Sequence, residues 1–175
     1  MPADDIHDPG ATVFVPTPGG ARALRDAFGA WPTGVTVVTA RGLDGAAVGI
    51  TANSFASVSL DPPLVLWSPG KFSSRHGHFT AARHFAIHVL TEAQGDLAAR
   101  FVRGGAGFAG LPHAENAAGV PLLAGVLARF ECRTETCHDA GDHTLVIGHV
   151  ERVAHRLGRP LCFAAGRYGR LAPPV

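Results

Sequence analysis

Four runs of β-type sequence are crowded into residues 34–68, and their spacing leaves room only for tight antiparallel connections. GVTVVTA (34–40) is rich in β-branched residues, which pack well on a pleated surface. An Asp44-Gly45 turn signal joins it to the run 46–52, so the two predict a hairpin. SFASVSL (54–60) alternates around its serines and is broken by Pro62-Pro63. PLVLWS (63–68) is continuously apolar and predicts a buried strand. Parallel neighbours would need crossovers of a dozen or more residues.

The rest of the chain extends this pattern. Ala23, Leu24, Ala27, Phe28 and Trp31 fall at helical spacing, with Pro32 as the stop. Residues 71–82 predict a short helix, and Thr91 with Gln94 fits a capping box opening a helix through Arg103. Further strands are predicted at 84–90, about 123–136, 143–154 and 160–168, with a glycine-rich loop over 104–121. The expected fold is therefore mainly β, a six-stranded antiparallel split barrel with a few peripheral helices. Closure into a barrel removes exposed edges. Residues 1–18, with prolines at 2, 9, 16 and 18, are expected to be a flexible tail, and 19–175 a single domain.

Composition excludes several functions. The net charge of +1 and the absence of a basic run argue against nucleic acid or an anionic membrane as partner. No run is long and apolar enough to span a bilayer, and the N-terminus lacks the pattern of a secretory signal. Cys132, Cys137 and Cys162 form no Cys-x-x-Cys, so a reduced, cytoplasmic protein without a disulfide framework is expected. The ten histidines match no zinc spacing, and no metal is expected. No G-x-G-x-x-G, Walker loop or G-x-S-x-G elbow is present. A 46% hydrophobic content against 17% charged is apolar for a soluble chain, so a second copy is expected to cover part of the surface.

Four segments offer chemistry. Thr51, Ala52, Asn53 and Ser54 cluster at a strand junction, where small polar groups suit an anion or a heteroaromatic ring. As residues alone they equally fit a polar turn. Thr33 and Gly34 follow Pro32 at a helix-to-strand junction, where glycine admits close approach of a flat ligand; an ordinary helix stop fits too. Ser68, Ser73 and Ser74, with Lys71 and Arg75, suit a phosphate at a helix start or a plain cap with solvated cations. His143, after Gly141-Asp142, offers an imidazole at a loop-to-strand edge or an exposed turn residue.

Together, FGAWPTGVTVVTA, GITANSFASVSLDPPLVLWS, FSSR before HFAIHVL, PLLAGVLARFECRTE, GDHTLVIGHV and GRPLCFAAGRY resemble the short-chain flavin reductase family in order and spacing. The resemblance covers about residues 20–171. It implies an FMN-binding split barrel working as a homodimer, binding FMN or FAD and reducing it with NADH or NADPH. It also implies a flavin-dependent monooxygenase as recipient of the reduced flavin. By this resemblance Thr33, Gly34, Thr51, Ala52, Asn53 and Ser54 line the isoalloxazine, and Ser68, Ser73 and Ser74 the ribityl chain and phosphate. His143 faces the nicotinamide, with Arg167 and Tyr168 near the same end. The sequence departs from the family pattern at GGAGFAGL, which lacks a basic residue before Phe108, and at Ala164, where many members are polar. Two alternatives share the barrel: a flavoenzyme that retains FMN for its own substrate, and a non-catalytic flavin- or haem-binding module.

Overall fold

The computed structural model describes residues 10–102 and 107–172. The elements in chain order are a 3-10 turn (Pro18–Gly20), α1 (Ala21–Phe28), β1 (Thr33–Gly34), β2 (Thr36–Arg41), β3 (Ala47–Ala52), β4 (Ala56–Leu60) and β5 (Pro63–Trp67). Then come α2 (His76–Ala81), β6 (His84–Val89), α3 (Gly95–Val102), β7 (Ala114–Glu115) and β8 (Pro121–Leu122). The chain closes with β9 (Ala128–Ala140), β10 (His143–His155), β11 (Leu161–Ala164) and β12 (Arg167–Arg170). Residues 1–9 of the expected tail and Arg103, the expected end of the third helix, lie outside the described residues.

The fold is mainly β with few helices. The expected count of six barrel strands is corrected: the main sheet has seven, in the order β3-β2-β6-β9-β10-β5-β4, and it is not closed. Its two edges are nonetheless consecutive in the chain. Only residues 53–55 separate the end of β3 from the start of β4, a span of at most about 14 Å. The sheet must therefore curl until its edges approach. They do not pair with each other; α3 lies on the sheet face over β2 and β3, where the Thr51 hydroxyl donates to the Ala98 carbonyl (2.6 Å). On the other side, β4 is irregular between Ser57 and Ser59. The predicted strand 160–168 also divides. β11 and β12 form a hairpin around Ala165-Gly166, and β11 pairs with β1 in a separate three-stranded sheet.

Curling creates an inside and an outside, and β2 is buried on both. Val38 and Ala40 face the interior with Val65, Trp67, Phe79, Phe85, Ile87 and Val146. Val35 and Val37 face a second cluster with Leu90, Ala98, Phe101, Leu123 and Leu161. Double burial explains why GVTVVTA shows no polar alternation. At the far end of β2, Gly45 takes the positive φ (+78°) that its Asp-Gly signal implies. Of the capping box one half forms: Gln94 Oε1 accepts the Thr91 N–H (2.9 Å), but the Gln94 N–H goes to the Thr91 carbonyl (2.9 Å) and the helix begins at Gly95.

Two helices differ from expectation. The first ends at Phe28, before Trp31, because the chain turns there: the Gly29 and Trp31 N–H groups bond to the Arg25 (2.9 Å) and Phe28 (3.1 Å) carbonyls. The second helix has six residues. Its flanking Arg75 turns inward, donating to the carbonyls of Gly49 (2.9 Å), Phe101 (2.8 Å) and Val102 (3.0 Å). A cation on the last carbonyls of α3 satisfies acceptors that helix geometry leaves open.

Candidate functional site

The end of β3 and the β11–β12 hairpin stand on opposite sides of a cleft with two chambers. The larger, about 810 Å³, is lined on the polar side by Thr33, Asn53 and Ser54, and on the apolar side by Phe28, Trp31 and Phe163. The smaller, about 290 Å³, is lined by Val35, Thr51, Ala52, Val102 and Tyr168. Asn53, Phe163 and Gly166 line both, so the chambers adjoin.

Local bonding decides which polar groups remain available. The Thr51 hydroxyl donates to Ala98 and acts as the tether of α3. Ser54 Oγ accepts the Ser68 N–H (2.9 Å), which fixes the β3–β4 link against the end of β5. The Thr33 hydroxyl lies 3.5 Å from the Phe163 carbonyl, at the limit of a hydrogen bond. Asn53 is exposed, and no described residue bonds its side-chain amide. Its carbonyl and NH₂ offer an acceptor and two donors to the cleft. Phe163 is held edge-to-face by Tyr168, with ring centroids 5.6 Å apart. Partial burial raises the Tyr168 phenol above its ordinary pKa, so the hydroxyl stays neutral near pH 7. The hairpin turn is fixed by the Ala165 N–H bonding to the Gly29 carbonyl (2.8 Å). Ala165 itself has a left-handed φ of 47°, a conformation that costs a non-glycine residue energy.

The structure thus brings Thr33, Thr51, Ala52, Asn53, Ser54 and Tyr168 to one cleft. Gly34 is exposed beside it on β1, opposite Cys162. Ser68 lies behind Ser54. Arg167 is exposed on β12 and lines neither chamber. Ser73, Ser74 and His143 are also absent from both walls. Ser73 Oγ accepts the Arg75 N–H (3.2 Å), and Ser74 is exposed. The cations expected to hold a phosphate beside them are engaged elsewhere, Arg75 on three carbonyls and Lys71 on Asp139 (2.6 Å). His143 opens β10 against Gly70, and its Nδ1 lies 2.7 Å from Asp142 Oδ1. That hydrogen bond and the imidazole's charge hold the Asp142 carboxyl below its ordinary range.

Sequence reasoning missed Arg25, Asp26, Phe28, Trp31 and Phe163 as cleft residues. The aromatics read as core positions in a periodic pattern, and only tertiary packing turns them to the cleft. Among the described residues, no group of three or more His, Cys, Asp or Glu side chains is placed to hold a metal. Among the described residues, no helix is long and apolar enough to cross a membrane.

The curled sheet with its cleft agrees with comparison to known proteins. The Flavin reductase like domain matches residues 28–172. The chain is 57% identical over 167 residues to FMN reductase (NADH) SmoA of Agrobacterium fabrum, covering 95% of both chains. It is 40% identical to the flavin-dependent monooxygenase reductase subunit HsaB of Rhodococcus jostii, over 87% of this chain and 78% of that one. The solved NADH:FAD oxidoreductase SgcE6 of Streptomyces globisporus superimposes with a TM-score of 0.85 at 37% identity, over 94% of this chain and 95% of that one. The chain belongs to the flavin reductase family.

Proposed function

We propose that the cleft binds FMN or FAD and that the chain is an NAD(P)H-dependent flavin reductase, with NADH the reductant named for its relatives. One observation carries this reading: an aromatic-walled cleft presents the amide of Asn53, which no described residue bonds, beside Thr33 and Ser54. A flavin has a flat apolar ring with a pyrimidine edge of mixed donors and acceptors, and an amide matches both kinds. Bound there, the flavin supplies an acceptor for the hydride of the nicotinamide. The chain's own contribution is placement. Phe163, braced by Tyr168, sets the plane of the cleft; Asn53 sets ring orientation; the apolar walls exclude water. No nucleophile or strong acid–base pair is required.

In this reading Thr51 and Ala52 join the wall with Gly34 beside it, Ser68, Ser73 and Ser74 lie along the ribityl chain and phosphate, and Arg167 and Tyr168 stand near the nicotinamide end. His143 orients the nicotinamide, with Asp142 holding its Nδ1. Two variants separate these roles. Asn53→Ala removes a ligand hydrogen bond worth about 1 kcal/mol, so flavin titration should show several-fold weaker binding with an unchanged melting temperature. His143→Ala should leave flavin affinity near wild type and lower kcat/KM for NADH by about ten-fold, the factor that 1.4 kcal/mol represents. Unchanged flavin affinity in Asn53→Ala would reduce the segment to a turn. Unchanged NADH kinetics would reduce His143 to a surface residue.

A homodimer and delivery of reduced flavin to a partner monooxygenase belong to the same proposal. Support for the dimer comes from the outer face of β5, β10 and β4. Leu64 and Leu66 point away from buried Val65 and Trp67, Leu66 pairs with Ile147, and all three are only half-buried. Val58, Leu60 and Phe72 are 51%, 96% and 95% exposed. Light scattering is expected to give twice 18.1 kDa, and Leu66→Asp to shift it toward the monomer. A wild-type monomer at micromolar concentration would contradict this.

A further inference from the structure

Two aromatic rings stand at the rim of the larger chamber with most of their area in solvent: Phe28 is 69% and Trp31 77% exposed. They are held on a rigid turn. The Trp31 N–H bonds to the Phe28 carbonyl, and between them the Gly29 carbonyl receives the Ala165 N–H. Arg25 and Asp26, from the last turn of α1, line the same chamber. Asp26 pairs with Arg22 only at 4.0 Å, and both side chains are largely exposed, so its carboxylate remains accessible. At about 810 Å³ the chamber exceeds what one ring system bound by Thr33, Asn53 and Ser54 would fill.

We propose that this rim is a platform for the adenosine diphosphate half of a dinucleotide, with the adenine stacked on Trp31 and Phe28 flanking it. The groups match part by part. An aromatic face takes the base, the Asp26 carboxylate accepts from ribose hydroxyls, and the Arg25 guanidinium meets the diphosphate. The inference rests on the reading of the cleft as the flavin site, and it makes Trp31 a specificity-determining residue. FAD and NADH both carry this moiety. FMN and reduced nicotinamide mononucleotide do not.

Fluorescence gives the first test. The chain has two tryptophans, and Trp67 has no exposed area, so emission that responds to solvent quenchers is that of Trp31. Titration with ADP through the millimolar range should quench it saturably, whether or not the cleft proves to bind flavin. Absence of quenching overturns the platform. The second test compares wild type, Trp31→Ala and Trp31→Phe for dissociation constants of FMN and FAD and KM for NADH and reduced nicotinamide mononucleotide. Trp31→Ala should weaken one of the adenine-bearing ligands by ~ten-fold, the scale of one lost base stack. FMN and the mononucleotide, which lack the adenine, should lose clearly less, and Trp31→Phe should keep most of the affinity. Selective loss for FAD assigns the platform to the flavin, and selective loss for NADH to the reductant. Equal loss for all four ligands, no loss for any, or a change confined to oligomeric state overturns the proposal. A wild type that fails to oxidise NADH with either flavin, yet shows ADP quenching, would sink the flavin reading and leave the platform standing.

Discussion

Phe85→Ala is expected to lower the free energy of unfolding by about 3–5 kcal/mol, the cost of truncating a fully packed aromatic. Phe85 is 1% exposed and lies 6.1 Å from Trp67 between ring centroids. Its ring occupies the space that Gly148 leaves empty: a Cβ on Gly148 would stand 2.4 Å from the ring's Cζ and 3.1 Å from Cys132 Cβ. The strand that lacks a side chain and the strand that carries a ring are thus one packing unit across the curled sheet. Because domains of this kind are stable by only about 5–15 kcal/mol, the variant should melt roughly 10 °C lower. Gly148→Ala alone should also destabilise, by overpacking. In Phe85→Leu with Gly148→Ala the two losses should partly cancel. Strictly additive losses, measured by urea denaturation of both single variants and the double, would contradict the packing.

Acid should loosen the fold through His88. Its ring is fully buried, with Nδ1 3.0 Å from the Val37 carbonyl and Nε2 3.1 Å from the Leu123 N–H. A carbonyl only accepts and an N–H only donates, so the ring is neutral with its proton on Nδ1. Desolvation is the main cause that lowers its pKa from 6.5 to about 4, with the Val37 bond opposing and Arg129 assisting. The unfolded chain then binds the proton first. Stability from this group is complete above pH 6.5 and falls as the pH drops toward 4. At 1.36 kcal/mol per pKa unit the loss approaches ~3 kcal/mol. Protonation would also force Nε2–H against the Leu123 N–H and release the segment that packs on β6. Urea midpoints measured from pH 7 to 4.5 should fall, and ring resonances of His88 should not titrate above pH 5. A His88 resonance that titrates near 6.5 would contradict both the burial and the stability claim.

The strands were legible because their signals are local. GVTVVTA and the Asp44-Gly45 turn state their structure within a few residues, and each forms, while of the Thr91/Gln94 box the Gln94 half forms. Closure was not legible. Where the sheet's edges stop depends on packing between distant segments, such as α3 on β2 and β3, where Thr51 bonds Ala98 47 residues away. The β11–β12 hairpin was read as one strand because its turn uses Ala165 at positive φ, where sequence statistics point to glycine or asparagine. Arg75 read as a surface cation for a phosphate, yet its guanidinium joins β3 to the end of α3. Although Thr51 and Ser54 engage their hydroxyls with Ala98 and Ser68 in the fold itself, the small and mostly polar residues at 33 and 51–54 of the candidate site stood out as a cluster at strand ends. Trp31, Phe28 and Phe163 did not, because an aromatic in a periodic apolar pattern looks like core whichever way it faces.

Aerobic consumption of NADH by the purified chain, with and without added FMN or FAD, tests the central claim most directly. Binding of flavin in the cleft and its reduction by NADH predict oxidation that rises saturably with added flavin and is slow without it. NADH that stays unconsumed in the presence of both flavins, from protein shown to be folded, would contradict the account.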